Sequence, residues 1–376
     1  METPNLVHTL LCSQKPTEGQ YIGGIATLCN DYIDKAKIFR NNGVDLDYFS
    51  YEYPEGSLWN KFRIPKVKNI IYGIAQIRAL RKFLKKSPKT CVHIHTSRKV
   101  LFFKDVLLAN AIHNICKGPI LMTIHVGDLE TVFHNKYTRK FLIWLMNKSI
   151  DNVLFLSEHM RQQFISAGLN KKQTTVLYNF FNIAPLAPED KLQNPNPRLI
   201  YLGSINREKG IVEMLTALNN VGKNFHLDLC GTVIEPDLQP EFDRLVNALG
   251  EKVKFHGYVG KTEKERLLKQ ADILILPSYR EGLPISVIEA LATSCALIVT
   301  PVGAIPEILS EENAIIIKPR DTEAIIHAVD SLFDNPELMN AMKIANFTKS
   351  KQFSEEDHIH KLCGLYKQQK STNIRN

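Results

Sequence analysis

The chain has 376 residues, 44% of them apolar and 23% charged, which is more than one hydrophobic core ordinarily serves and excludes a disordered or fibrous protein. Its formal charge of +8 is unevenly placed: residues 1–190 carry 25 Lys+Arg against 15 Asp+Glu, and residues 191–376 carry 22 against 24. Seven scattered cysteines, never spaced C-x-x-C, exclude a disulfide framework and a structural zinc site, and no apolar run is long enough to cross a bilayer, so a cytoplasmic chain of two domains is expected.

Short β-branched runs alternate with segments of helical period, the pattern of parallel sheets covered by helices on both faces. The first strand candidate, LVHTLLC, leads into TEGQYIGGIATLCNDYI, which sets Gly23 and Gly24 at a helix start. Such a pair either admits a ligand close to the backbone or only eases the helix entrance. VDLDYFS follows, and strand alternation puts Asp45 and Asp47 on one polar face, a structural role rather than a metal-binding one.

From Gly56 to Lys104 there are 13 basic residues and no acid, a one-signed field that points to an anionic partner. Within it, IYGIAQIRALRKFLKK aligns Ile71, Ile74, Ile77, Leu80 and Leu84 along one helical stripe, with Arg78, Arg81, Lys82, Lys85 and Lys86 on the remaining surface. Either the stripe packs on a sheet and the cations only solvate the helix, or the basic face docks on an anionic membrane leaflet. The tract lacks interleaved stacking aromatics and any nucleic-acid-binding motif, so no nucleic-acid partner is expected.

CVHIHT and ILMTIH then place His93, His95 and His125 at one sheet edge, with no nearby Cys to make them a zinc site. A hydrogen-bonded structural role and contact with a ligand both stay open. NVLFLS and TTVLYN complete the first set of strands. Four prolines in NIAPLAPEDKLQNPNP mark a linker, so the expected divisions are a domain over 1–183, a linker over 184–197, a second domain over 198–353, and a helix with its tail over 354–376. That last helix takes Ser354 as its N-cap and is expected to pack back on the N-terminal domain.

The second set of strands is RLIYLG, HLDLCG, VKFHGY, ILILPS, ALIVT and AIIIK. After the first of these, SINREKG presents Arg207 and Lys209 just before a helix; cations at a strand's carboxyl end beside a helix N-terminus suit a diphosphate, although such a turn is also often merely solvated. It is not a P-loop, because the order G-x-x-x-x-G-K-[ST] is absent. After ILILPS, the loop YREGLP sits at the sheet edge where open α/β proteins bind ligands. Pro284 suits the first turn of the following helix and Gly282 permits a close backbone approach. Glu281 at the helix entrance and Glu289 two turns along are on the order of 10 Å apart. That is too wide for a retaining glycosidase pair at roughly 5 Å, and it suits the sugar and ribose ends of a nucleotide diphosphate sugar. The competing reading is one solvated and one helix-surface glutamate.

This order of elements resembles the family-four glycosyltransferases, retaining nucleotide-sugar enzymes of the GT-B fold. The most specific stretch is ADILILPSYREGLPISVIEALATSCALIVTPVGAIPEIL, with the E-x7-E pair at Glu281 and Glu289 and the proline-glutamate pair at Pro306 and Glu307. The Gly23-Gly24 loop, IHVGD with His125 and Asp128, LSEHMR with Ser157, YNFFN with Asn179, and Lys209-Gly210 follow the family's order. Ser204 departs from the family's usual Arg, and Ser294 from its usual Gly; Arg207 is a candidate for the missing cation.

The resemblance implies an α/β GT-B architecture, two Rossmann-like parallel-sheet domains facing a cleft. It implies catalytic roles for Glu281, Lys209 and His125, and donor contacts from Gly23, Gly24, Ser204, Arg207, Lys209, Glu281, Gly282, Leu283, Pro284 and Glu289. It implies transfer with retention, no metal or other cofactor, a UDP-sugar as donor, and a lipid-linked saccharide of a bacterial surface polysaccharide as acceptor, met at the inner face of an anionic membrane. An epimerase or phosphorylase of the same fold would not keep this combination of REGLPISVIEA and REKG, and a non-catalytic scaffold subunit would not need both glutamates and the lysine.

Overall fold

The computed structural model describes residues 6–13, 24–50, 65–97, 100–127, 129–130, 132–133, 135–192 and 194–368. Gly23, Asp128 and part of the basic tract, including Lys61, Arg63, Arg98 and Lys99, lie outside the described residues. Two compact units form, Met1–Leu177 with Glu356–Asn376, and Tyr178–Glu355.

The first unit is built on six parallel strands: β1 (Val7–Ser13), β2 (Val44–Ser50), β3 (Cys91–Thr96), β4 (Ile120–Ile124), β5 (Asn152–Phe155) and β6 (Thr174–Val176), in the order β2-β1-β3-β4-β5-β6. Every residue of β3 and β4 is buried, as expected of parallel strands covered on both faces. Between β1 and β2 lie α1 (Gly24–Asp34) and α2 (Ala36–Asn41); the later crossovers carry α3 (Pro65–Lys86), α4 (Val100–Ile112), α5 (Lys136–Ser149) and α6 (Glu158–Ser166). The chain steps outward to β2 and then returns past β1, so right-handed crossovers put α1 and α2 on one face and α3 to α6 on the other. Side chains such as Phe102, Val106, Met122, Leu145, Phe155 and Phe164 fill the core beneath that second layer. Ser157 caps α6, its hydroxyl accepting from the Met160 amide at 3.0 Å.

The second unit repeats the plan with β7 (Arg198–Leu202), β8 (His226–Cys230), β9 (Val253–Gly257), β10 (Ile273–Leu276), β11 (Ala296–Val299) and β12 (Ala314–Ile316), in the order β12-β11-β10-β7-β8-β9, all pairs parallel. Its helices are α7 (Ile211–Asn220), α8 (Gln239–Leu249), α9 (Lys261–Gln270), α10 (Ile285–Ala292), α11 (Ile305–Ile308), α12 (Thr322–Asp334) and α13 (Pro336–Ser350). The chain leaves β7 toward β9 and comes back to β10 on the other side. The carboxyl ends of β7 and β10 therefore flank a topological switch point, where a ligand can reach between diverging loops.

The proline-rich segment 184–197 is held within the second unit: the Leu186 amide donates to Ala292 O at 2.9 Å, and Asn194 donates to Gln270 O and to Asp272. Its prolines exclude a ladder but not packing. On α3, Leu80 and Leu84 are buried and Ile77 partly so, but Ile74 is 45% exposed while Gln76 is buried, so the inward stripe is rotated from the one expected. Gln76 accepts from Lys104 of α4 at 3.4 Å, which explains a polar residue there. The final helix, α14 (Glu355–Tyr366), packs in the first unit, where Tyr32 and His358 share a 2.7 Å hydrogen bond. Among the described residues no helix is long and apolar enough to cross a membrane.

Candidate functional site

Two loops at the switch point of the second unit are tied together by their backbones. After β7, the Asn206 side chain accepts from the Lys209 amide at 3.0 Å and closes a single tight turn. Gly210 follows at φ +67, and a Cβ there would lie 2.2 Å from Pro277 O, so only glycine lets this loop press against the end of β10. The Tyr279 amide donates to Glu208 O at 2.8 Å. From the other side, Gly303, at φ +60, would set a Cβ 2.2 Å from Gly282 O, and the Ala304 amide donates to that same carbonyl at 2.8 Å. Asn179 holds Leu283 O at 2.7 Å.

This clamping brings Lys209 Nζ to 2.6 Å from Glu281 Oε1, a pair separated by 72 residues in sequence. The lysine side chain keeps 23% of its surface and the carboxylate 8%. Pro284 stands at the N-cap of α10, and the first amides of that helix have no acceptor within it, so a positive helix end faces the same loop. Glu289, two turns on, is 3% exposed and pairs with Lys264 Nζ of α9 at 2.5 Å. Tyr279 donates to Glu213, and the Arg320 guanidinium lies 4.6 Å from its ring centroid. Burial, with Glu213 beside it, pushes the Tyr279 hydroxyl up to about 12, so it stays a donor. The arrangement offers a lysine that can exchange a carboxylate for a phosphate oxygen, and two carboxylates that can accept from sugar hydroxyls.

Arg207 is held in an acidic cluster. Its guanidinium meets Glu235 at 3.1 Å, Asp237 at 2.9 Å and Glu241 at 3.4 Å, because the segment after β8 brings an acidic cluster to it. Ser204 stands where the family usually has Arg. Its hydroxyl accepts from Asn206 at 3.1 Å and its carbonyl from Tyr201 at 2.8 Å, which shapes the loop that presents Lys209. Lys264 carries no sequence signal, being one of three lysines in KTEKERLLKQ.

In the first unit the sheet-edge histidines form a buried network. His93 bonds Tyr366 and Thr123, each at 2.7 Å, and His95 Nδ1 lies 3.0 Å from His125 Nε2. Burial drives His93 down to about 3 and His95 well below its ordinary value; His125 keeps some exposed surface, yet packing around its ring takes it to about 3 as well. All three are neutral near pH 7. Among the described residues no group of three His, Cys, Asp or Glu is placed to hold a metal. Asp45 meets Arg40 at 2.7 Å and Asp47 accepts from the Tyr48 amide, in keeping with a structural role.

Residues 33–184 match the model of glycosyltransferase family 4, and residues 186–348 match that of the group 1 glycosyl transferases. An uncharacterised glycosyltransferase of Methanocaldococcus jannaschii is 22% identical over 345 residues, 84% of this chain and 86% of its own. Sucrose-phosphate synthase from Thermosynechococcus elongatus superposes with a TM-score of 0.77 at 17% identity, covering 96% of this chain and 98% of its own. Anabaena HepE in complex with UDP-glucose gives 0.68 at 14%, covering 95% and 98%. Two six-stranded parallel sheets with this likeness define the GT-B fold, and the two family matches make the chain a glycosyltransferase. The chain belongs to glycosyltransferase family 4.

Proposed function

We propose that the chain transfers a sugar with retention from a UDP-sugar to a saccharide acceptor, without a metal ion. The observation that carries this reading is the contact of Lys209 with Glu281 beside the N-terminus of α10, with Glu289 two turns along the same helix. The UDP-glucose bound by HepE supports the choice of nucleotide. In the proposed reaction the bond from the sugar's anomeric carbon to the diphosphate breaks, and Lys209 and the α10 amides take up the charge on the leaving oxygen. The acceptor oxygen bonds the same face of that carbon, and the departing diphosphate receives its proton. Glu281 holds the sugar, Gly282 and Leu283 offer their amides, and Glu289 holds the ribose. A lipid-linked acceptor of a bacterial surface polysaccharide, met on the cytoplasmic face of the membrane, fits the cationic first half of the chain.

Donor screening followed by product analysis tests the reading. Glu281→Gln is expected to lower turnover about a hundredfold, the scale of one lost transition-state contact, while Glu289→Gln mainly raises the donor Kd. Transfer persists in excess EDTA. An inverted anomer, or activity lost on chelation and restored by magnesium, overturns the mechanism.

A further inference from the structure

Helices α3, α4 and α5 lie side by side in the first unit, and the outermost surface of α5 is unlike that of a solvated helix. Leu142, Ile143, Leu145 and Met146 face the core, yet the opposite side exposes Tyr137 at 73%, Phe141 at 48% and Trp144 at 56%. These three recur at the spacing of one helical stripe. The Phe141 and Trp144 rings stack with centroids 6.2 Å apart. Cations frame them: Lys136 Nζ lies 5.3 Å over the Tyr137 ring, Lys148 Nζ lies 5.5 Å over Trp144, and Lys140 is exposed between. No acid occurs on α5. Next to it, α4 exposes Leu101 and Phe103, and its one acid, Asp105, is buried 3.3 Å from Lys104. On α3 the cations Arg78, Arg81, Lys82, Lys85 and Lys86 are exposed, again with no acid.

Exposed aromatic rings framed by lysines, on three neighbouring helices without an exposed carboxylate, match what the headgroup region of an anionic bilayer accepts: amphipathic rings at the interface and cations against lipid phosphates. We propose that α5 docks the first unit on an anionic lipid leaflet, with Tyr137, Phe141 and Trp144 entering the headgroup region and Lys136, Lys140 and Lys148 against the phosphates. The α3 cations add a general attraction, but Ile77, Leu80 and Leu84 of α3 pack into the core and contribute no insertion. Binding is therefore only partly abolished by salt, unlike a purely electrostatic contact. The inference extends the lipid-linked acceptor proposed above, but its readout needs neither donor nor acceptor, so its failure leaves the transferase reading standing.

The chain has two tryptophans, so Trp59→Phe leaves Trp144 as the sole reporter. With vesicles of phosphatidylglycerol and phosphatidylcholine in equal parts, its emission shifts to the blue and is quenched by brominated lipid; with phosphatidylcholine alone it does not. In flotation of the chain carrying Trp59, the triple variant Tyr137→Ser, Phe141→Ser, Trp144→Ser partitions at least about tenfold less. Changing Lys136, Lys140 and Lys148 to Ser weakens binding and flattens its salt dependence. All six residues are exposed, and unchanged circular dichroism melts show that the variants fold. No emission shift, equal flotation of the triple variant, or equal binding to neutral vesicles overturns the proposal. So does a stripe that pairs two copies of the chain in solution, seen as a dimer that the triple variant disperses without any vesicle binding.

Discussion

Glu289 and Lys264 show how one partner decides what a carboxylate costs. At 3% exposure Glu289 is out of reach of bulk water, and the ammonium at 2.5 Å is what makes its charge tolerable there. Lys264→Met is expected to destabilise the second unit by about 3 kcal/mol, the range for a buried charge left without its partner. Adding Glu289→Gln to that variant should restore much of the loss, and chemical denaturation of the four proteins measures both. Equal stability of wild type and Lys264→Met would mean that the carboxylate finds another partner. Arg207 stands at the other extreme, exposed among three carboxylates, where water and salt screen each contact. The E-x7-E spacing was legible in the sequence because it is local; which lysine answers each glutamate was not, since Glu281 meets a residue 72 positions away and Glu289 one 25 away.

Helix α10, which carries Glu289 and the amide end proposed to meet the donor, is secured at its far end. The Cys295 amide donates to Ala290 O at 2.9 Å and that of Ser294 to Leu291 O at 3.2 Å, the pair of bonds that closes a helix through a left-handed residue. Ser294 takes that position at φ +54, which is why glycine is usual in the family, and its hydroxyl offsets the strain by donating to Leu186 O at 2.6 Å. Buried Lys191 donates to Thr293 O and, at 3.1 Å, to Ser294 O, a cation at the negative end of the helix. Burial lowers the Lys191 pKa, and the neighbouring Cys295, 3.3 Å from Nζ, acts against that. Lys191→Met should cost about 2 kcal/mol, the scale of losing hydrogen bonds from a charged donor, read as a lower melting temperature of the second unit with little change in the turnover of folded enzyme.

On β3 and just after β4 the neutral histidines set a pH dependence. Unfolded histidine titrates near 6.5, whereas His93 and His125 bind their protons only near 3 when folded. Between those values the unfolded state holds more protons, so stability is fully present above about pH 6.5 and falls as the pH drops toward 3, by roughly 1.4 kcal/mol per pH unit for each histidine. Calorimetry between pH 7 and 5 should show the first unit melting earlier with acid, and His93→Gln should flatten the slope. A melting temperature independent of pH over that range would contradict the buried neutral state.

At the scale of the whole molecule, the chain builds the second unit and then gives its last helix to the first. On α14 the residues His358, Ile359, Leu362, Cys363 and Tyr366 are buried, with Tyr366 bonded to His93. Ending the chain after Ser354 removes that cover, and each large apolar side chain lost is worth about 1.5–3 kcal/mol. Hydrogen exchange should then accelerate in β3 and α1 while β7 and β10 keep their protection and the second unit keeps its affinity for the proposed UDP-sugar donor. Uniform loosening of both units would show that α14 supports more than the first.

The amino-acid sequence by itself determined the two sets of six strands, their carboxyl-end loops and the family, because alternation, helical period and the spacing of Glu281 and Glu289 act over a few turns of chain. Only the tertiary structure decided that Arg207 turns to an acidic cluster, that the proline-rich segment is packed, and that Tyr137, Phe141 and Trp144 face outward. The physical reason is range. A local pattern fixes which backbone forms, but one lysine or one aromatic ring is chemically like the next until distant segments fold together and choose its neighbours.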